Sequence, residues 1–133
     1  MTTVLVTGAS GFIAKHIVRE LLENDYTVKA TVRSDRGRDQ LVALFPDAGI
    51  EFVRVDLLAD AGWDHAMAGV DVLMHTASPF PDSEPKDPQE LIGPAVEGTL
   101  RALRAAQRAG VTRVVLTSSC AAIYKDASKP PMQ

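Results

Sequence analysis

The sequence has little cysteine, few aromatic residues and no long apolar run. Cys120 is the only cysteine among 133 residues, so no disulfide can form within the chain. A disulfide framework is therefore excluded, and a reducing compartment is compatible with this composition. No apolar run approaches the roughly 18 residues of a membrane span, and no signal-peptide pattern opens the chain. We therefore expect a cytoplasmic protein that makes no membrane contact.

An excess of positive charge is also absent. The formal net charge is -3, and no long basic run occurs, which argues against nucleic acid as the main partner. Hydrophobic residues make up 46% of the chain and charged residues 23%, which is typical of a soluble globular protein. At this length the sequence predicts one domain with one core. We expect no bound metal.

The first feature that indicates function is an apolar strand that leads into a glycine turn and then into an amphipathic helix. The spacing is Gly8-x-x-Gly11-x-x-Ala14. Gly8 allows backbone angles that a side chain forbids, Gly11 lets the backbone approach a phosphate, and Ala14 lets helix and strand pack closely. We expect the first N–H groups of this helix to hold the pyrophosphate of a dinucleotide. The alternative is an ordinary strand-turn-helix connection.

The end of the second predicted strand indicates which dinucleotide is bound. Residues 26–32 are rich in β-branched side chains, and Arg33 follows them. In dinucleotide folds an acidic residue at this point binds the ribose 2′-hydroxyl of NAD, and none is present here. A guanidinium can bind the 2′-phosphate of NADP through paired, charge-assisted hydrogen bonds. Arg33 therefore predicts NADP, with NADPH preferred over NADH, while Arg36 and Arg38 either assist or belong to a solvated loop.

Strands and helices alternate along the chain. Apolar periodicity predicts helices over residues 12–24, 40–45, 63–67 and from 89 or 94 to 109, and strands over residues 26–32, 50–55, 69–79 and 114–117. With the first strand, this pattern implies an α/β fold of about five strands, a Rossmann-type doubly wound parallel sheet in the order 3-2-1-4-5. The last strand is expected to be buried.

Two features of the last predicted helix bear on packing. We expect Val96, Leu100 and Leu103 to face the core. Gly93 and Gly98 predict places where backbone approaches backbone.

Polar and small residues follow the third and fourth predicted strands. Asp56 either accepts a hydrogen bond from the adenine amino group or caps the helix over residues 63–67, and both alternatives stay open. His75 lies in an apolar strand, so we interpret it as a hydrogen-bonded core residue rather than a catalyst. Ala77 and Ser78 are small enough to let a nicotinamide ribose approach the backbone, and Pro79 ends the strand.

Together these segments resemble the extended short-chain dehydrogenase/reductase superfamily, which is also called NAD-dependent epimerase/dehydratase. The segments that carry the resemblance are Thr7-Gly8-Ala9-Ser10-Gly11-Phe12-Ile13-Ala14, Asp56-Leu57, His75-Thr76-Ala77-Ser78-Pro79 and Thr117-Ser118-Ser119. Residues 31–33, 77–80 and 94–100 look most like the dihydroflavonol 4-reductase, cinnamoyl-CoA reductase and ketone/aldehyde reductase branch, which prefers NADP. The resemblance implies cofactor contacts at Gly8, Ser10, Gly11, Phe12, Ile13, Arg33, Asp56, Leu57, Thr76, Ala77, Ser78 and Thr117.

The resemblance also assigns catalysis. It implies that Ser119 hydrogen-bonds the substrate carbonyl, while a tyrosine acts as general acid and a lysine four residues later lowers the pKa of that tyrosine. The pair is missing, because Ala30 follows Tyr26 at that spacing and Ser128 follows Tyr124. In relatives it lies a few dozen residues beyond the serine.

We therefore expect residues 1–125 to form the NAD(P)-binding domain of a carbonyl reductase. Residues 126–133 would begin a connection to a missing C-terminal substrate domain, and the chain would be inactive alone. The substrate would be a small ketone or aldehyde. The alternatives are a non-catalytic NADP-binding module and a nucleotide-sugar epimerase or dehydratase. A homodimer through the surface of residues 96–109 is also expected.

Overall fold

The computed structural model describes residues 1–77, 86–87 and 89–119. Within these ranges the strands are β1 (Thr3–Thr7), β2 (Thr27–Val32), β3 (Glu51–Arg54), β4 (Val72–His75) and β5 (Arg113–Leu116). The helices are α1 (Phe12–Glu23), α2 (Asp35–Leu44), α3 (Trp63–Met67) and α4 (Gln89–Ala109). The predicted end of the fourth strand at Pro79, the domain boundary at 125 and the connection over 126–133 lie outside the described residues.

The strands form one parallel sheet in the order β3-β2-β1-β4-β5, which confirms the predicted topology. Between β3 and β4 the chain crosses from the edge strand β3, past β2 and β1, to the other side of β1. The strand order therefore reverses beside β1. Thr7 at the end of β1 is in register with His75 at the end of β4. Ligands of such sheets bind beyond the carboxyl ends of the strands at this reversal.

Each face of the sheet carries its own apolar cluster, because side chains alternate along every strand. On one face, β1 and β2 pack against α1 and α2 through residues that include Val4, Val6, Val18, Val28 and Leu41. On the other face, β1 and β4 pack against α3 and α4 through residues that include Leu5, Leu73, Trp63, Met67 and Ala105. Ala14 is buried in the first cluster, as the close packing of helix and strand requires.

Helix α2 begins at Asp35, five residues before the predicted start, so the alternative that Arg36 and Arg38 belong to a solvated loop is wrong. Ser34 is the N-cap, and its side chain accepts a hydrogen bond from the Gly37 N–H at 3.4 Å. The acidic side chain of Asp35 in the first turn is favourable beside the helix dipole. Consequently Arg36 and Arg38 belong to a helix. The fourth strand is also shorter than predicted, since it spans only Val72–His75.

Helix α4 turns small residues toward the core. Gly98, Ala102, Ala105 and Ala106 are its buried residues. The predicted inward orientation of Val96 and Leu100 is wrong, because their exposed fractions are 51% and 38%. The approach of α4 to the rest of the domain is too close for larger side chains on the buried face.

The remaining predictions for α4 have mixed outcomes. Leu103 packs against the core, as predicted. A Cβ at Gly98 would lie 3.0 Å from the Leu57 Cβ, so the approach is close, but the neighbour is a side chain and the predicted contact of backbone with backbone is wrong. Gly93 has no such neighbour within 4 Å among residues 1–77, 86–87 and 89–119, which gives the prediction no support there. No helix within the described ranges is long and apolar enough to cross a membrane.

Strand β5 is exposed, which corrects the expectation of a buried strand. Val114, Val115 and Leu116 have exposed fractions of 41%, 41% and 51%. No residue of β5 belongs to either apolar cluster, and β4 is its only strand neighbour among the described residues.

Candidate functional site

A cleft of about 370 Å³ opens beyond the carboxyl ends of β1, β2, β3 and β4. The predicted cofactor residues that line it are Gly8, Ser10, Gly11, Arg33, Asp56, Leu57, Thr76 and Ala77. Sequence reasoning assigned no role to other residues of its wall, namely Thr31, Ser34, Gly37, Gln40, Leu58 and Trp63. The cleft therefore brings together the glycine turn and the ends of three strands.

The glycine turn is held by backbone contacts that need glycine. Gly8 has φ of 59°, and a Cβ there would lie 3.0 Å from the Ala77 Cα. The Gly8 N–H donates to the Thr31 side-chain oxygen at 3.0 Å, and the Gly11 N–H donates to the Gly8 carbonyl at 3.0 Å. Gly11 is the N-cap of α1 and has no side chain to cap the helix. The first turn of α1 therefore has backbone N–H groups that can donate hydrogen bonds to a phosphate.

The end of β2 brings positive charge to the cleft. Arg33 and Arg36 both line it. The Arg54 Nε donates to the Arg33 carbonyl at 3.2 Å, which fixes the backbone at this point. Arg38 lies instead over the Phe52 ring, with the guanidinium carbon 5.6 Å from the ring centroid. Of the two arginines left open by the sequence, Arg36 is therefore at the site and Arg38 is not among the lining residues.

Asp56 does not cap α3, because the N-cap of that helix is Gly62. Its carboxylate instead accepts a hydrogen bond from the Leu58 N–H at 2.9 Å. The capping alternative is therefore wrong, and Asp56 lies at the wall of the cleft. Its proposed contact with an adenine amino group stays a prediction.

The Thr7 hydroxyl connects the ends of β1 and β4. Its oxygen accepts the Thr76 N–H at 3.0 Å and the Ala77 N–H at 3.1 Å, and it lies 2.8 Å from the His75 Nδ1. Because both oxygen lone pairs are used, the hydroxyl proton is left to donate to Nδ1, and the neutral ring carries its own proton on Nε2. His75 is 2% exposed, which supports the interpretation of a hydrogen-bonded core residue. Its Nε2 has no hydrogen-bond partner in the part of the chain that is described.

The stability of the fold should depend on pH through His75. Burial lowers the pKa of this ring below its usual value of 6.5, because desolvation disfavours the charged form. Below that pH the unfolded chain binds more protons than the folded chain. The contribution of His75 is therefore fully present above pH 6.5 and is lost as the pH falls toward the folded-state pKa. The loss is at most about 1.4 kcal/mol per pH unit.

Urea unfolding of the wild type and of His75→Gln between about pH 7.5 and about pH 5.5 measures this slope. The free energy of unfolding should fall more steeply in the wild type, since the variant lacks the titrating ring. Equal slopes in the two proteins would contradict the assignment.

Thr117, Ser119, Phe12 and Ile13 are predicted site residues that are not among the residues lining the cleft. The Thr117 N–H donates to the His75 carbonyl at 3.0 Å, just beyond β5, and Ser119 is exposed two residues later. Phe12 and Ile13 are 80% and 57% exposed in the first turn of α1. Ser78 lies outside the described residues. The roles of these residues stay predictions. No group of metal-ligating side chains occurs among the residues that the structure describes.

The sequence profile of the NAD dependent epimerase/dehydratase family matches residues 4–133. The chain belongs to this family. Cinnamoyl-CoA reductase 1 of Petunia hybrida is 41% identical over 131 residues, which are 96% of this chain and 38% of that protein. The putative anthocyanidin reductase of Ginkgo biloba is 41% identical over 128 residues, 92% of this chain and 37% of that protein. The chain thus spans less than two-fifths of these epimerase/dehydratase relatives.

A solved structure agrees with this family assignment. Gre2 of Candida albicans in complex with NADPH superimposes with a TM-score of 0.82 at 38% identity, over 92% of this chain and 38% of that one. The resemblance to the reductase branch is confirmed for the portion of the epimerase/dehydratase fold that the two chains share.

Proposed function

We propose that the cleft binds NADPH and that the chain supplies the cofactor-binding part of a reductase of small carbonyl compounds. The observation that carries the proposal is a pair of arginines beside the glycine turn: Arg33 directly after β2 and Arg36 in the first turn of α2 both line the cleft. Asp35 is not among the lining residues, and its carboxylate lies 4.0 Å from Arg54. An anion with more charge than NADH suits such a site.

The residues present fit a dinucleotide. Gly8 has no side chain, and a Cβ there would clash with Ala77, so the turn can pack this closely only with glycine. The start of α1 next to it has no side-chain cap, which leaves backbone N–H groups for a pyrophosphate. Arg33 and Arg36 would bind the 2′-phosphate. The wall at Asp56 would receive the adenine. When bound, the cofactor supplies the hydride, and these residues bind and orient it.

The substrate class is inferred from the relatives of this chain. The Petunia hybrida relative is a cinnamoyl-CoA reductase, and the Candida albicans structure holds NADPH. We infer that the whole protein reduces a ketone or aldehyde, with Ser119 donating a hydrogen bond to the carbonyl oxygen. Chemistry by this chain alone would lack the tyrosine and lysine that the family uses. The cytoplasmic location and the homodimer also belong to this proposal.

Replacing Arg33 should remove the preference for NADPH. In Arg33→Met the dissociation constant for NADPH should rise about 10- to 100-fold, since a hydrogen bond to a charged group contributes about 1.5–3 kcal/mol. The constant for NADH should change by less than about threefold, because NADH has no 2′-phosphate for the arginine to bind. Calorimetric titration of the 133-residue chain with both nucleotides measures this.

Arg38→Met is the matched control, because it removes an arginine of the same segment that lies over Phe52 rather than at the cleft. It should bind both nucleotides as the wild type does. If the wild type bound neither nucleotide, or if Arg33→Met kept the full preference, the proposal would be overturned.

A non-catalytic NADP-binding module is the second candidate, and the observation that favours it is the lack of a Tyr-x-x-x-Lys pair in the 133 residues. NADPH oxidation with an added aldehyde separates the two candidates only when it is measured both in this chain and in a longer chain that contains the pair. Turnover by this chain would require another proton donor, whereas tight binding without turnover agrees with both a module and the cofactor part of a larger enzyme. A longer chain that includes a Tyr-x-x-x-Lys pair should oxidise NADPH if the protein is a reductase, and should not do so if it is a non-catalytic module. A nucleotide-sugar epimerase is disfavoured, since those relatives usually have an acidic residue where Arg33 stands.

A further inference from the structure

The loop over residues 56–60, between β3 and α3, forms one wall of the cleft. It has no helix or strand of its own, yet Asp56, Leu57 and Leu58 all line the cavity. A loop of this kind presents a fixed surface only where other parts of the fold hold its backbone. Two side chains from outside the loop do so here, one from α3 and one from α4.

Trp63 holds the loop from α3. Its indole N–H is shared between the Asp56 carbonyl at 3.0 Å and the Ala59 carbonyl at 3.1 Å. The residue is 1% exposed, so these bonds are sheltered from water. The indole therefore ties the two ends of a tight turn to the first residue of α3.

Arg101 holds the same loop from α4. Its guanidinium donates to the Leu57 carbonyl, and its Nε donates to the Asp60 carboxylate at 2.6 Å. The hydrogen bond from Arg101 lowers the pKa of Asp60 below its usual value. Only 21% of the arginine side chain is exposed. One turn earlier, Gly98 leaves space for Leu57, which brings the helix close enough for this contact.

We propose that Arg101 is a positioning residue for the adenosine end of the cofactor cleft. It does not line the cleft. It fixes the Leu57 carbonyl and Asp60, and thereby the segment between Asp56 and Leu58 that faces the cavity. Without this hold, the loop must be ordered at the moment of binding, which lowers affinity for any adenine nucleotide. Because the 2′-phosphate group lies at Arg33 in the proposed function on which this inference rests, the loss should be equal for NADPH and NADH.

The test compares Arg101→Met with Arg108→Met. Arg108 is on the same helix and makes an analogous pair, with its Nε 3.0 Å from the Asp64 carboxylate, but it contacts α3 and not the loop. In Arg101→Met the dissociation constants for NADPH and NADH should both rise about tenfold, with their ratio unchanged. In Arg108→Met both should stay within about twofold of the wild type.

Trp63 provides a second readout, because it is the only tryptophan of the chain and bonds the loop directly. Titration with ADP should change its fluorescence at low concentration in the wild type and Arg108→Met. About tenfold more ADP should be needed in Arg101→Met, since ADP also lies against the loop. If Arg101 had a purely structural role, Arg101→Met would have a lower melting temperature but would need no more ADP than Arg108→Met does.

The outcomes separate the inference from the proposed function. If the wild type binds neither nucleotide, the proposed function fails. If the wild type binds NADPH but Arg101→Met binds it as tightly as Arg108→Met does, the inference is overturned and the function stands. Should Arg101→Met fail to fold, Arg101→Lys tests the same hold, because an ammonium group keeps the charge but lacks the fork that reaches both the Leu57 carbonyl and the Asp60 carboxylate. It should raise both constants about threefold, and wild-type affinity in that variant would overturn the inference.

Discussion

Gly8→Ala should reduce the affinity for NADPH more than about 100-fold, since two or more hydrogen bonds to phosphate are lost at about 1.5–3 kcal/mol each. The new Cβ would lie 3.0 Å from both the Cα and the Cβ of Ala77. The end of β4 or the turn itself must then move, and the backbone N–H groups beside Gly8 no longer converge on one anion. Calorimetric titration with NADPH measures the loss.

Gly49→Ala is the matched control for this change. Gly49 has φ of 68°, close to the 59° of Gly8, but a Cβ there would meet no atom of the described part of the chain within 4 Å. Both variants therefore suffer the strain of a left-handed residue, about 1–2 kcal/mol of unfolding free energy. Only Gly8→Ala combines this strain with a clash at the cleft. NADPH affinity in Gly8→Ala equal to that in Gly49→Ala would refute the cradle.

The order of the sheet could be predicted from sequence because apolar strands and amphipathic helices alternate, and parallel strands joined by helices allow few topologies. The start of α2 could not be predicted from periodicity alone. Its first turn carries Asp35, Arg36 and Gly37 rather than apolar residues, and the Ser34 cap supplies what periodicity lacks. The exposure of β5 was equally hidden, since an apolar strand has the same pattern at an edge as in the middle of a sheet.

Some residues of the cleft could be predicted from the local sequence, and others could not. Gly8, Arg33 and Asp56 follow directly after strands, so the local sequence predicts that they meet at one edge of the sheet. Trp63 and Gln40 reach the cleft because helices α3 and α2 pack against the sheet, which is a tertiary outcome. The role of Arg101 lies further still from local pattern, since its partner Leu57 is 44 residues away. For Ser34 the local sequence offers one signal: serine is a preferred N-cap residue, and it precedes a helix here.

Thr7→Val should cause the largest loss of stability of any substitution proposed, about 3 kcal/mol of unfolding free energy. Valine has nearly the same shape as threonine, so no cavity forms and the effect isolates the hydroxyl. Thr7 is fully buried, and its oxygen accepts two N–H groups while its proton is left for the His75 ring. Removing it leaves several buried polar groups unpaired, each of which costs about 1–3 kcal/mol.

Thr27→Val is the control, because Thr27 is exposed at the start of β2 and the same change there should shift unfolding by less than about 0.5 kcal/mol. Urea unfolding of both variants gives the comparison, and equal midpoints would show that the hydroxyl of Thr7 is dispensable. A double-mutant cycle with His75→Gln then separates the ring from the backbone. Coupling above about 0.5 kcal/mol would assign part of the loss to the ring. The Thr7 oxygen also accepts the N–H groups of Thr76 and Ala77. The part of the Thr7→Val loss that persists in the His75→Gln background therefore measures how strongly Thr7 holds the end of β4 beside the glycine turn.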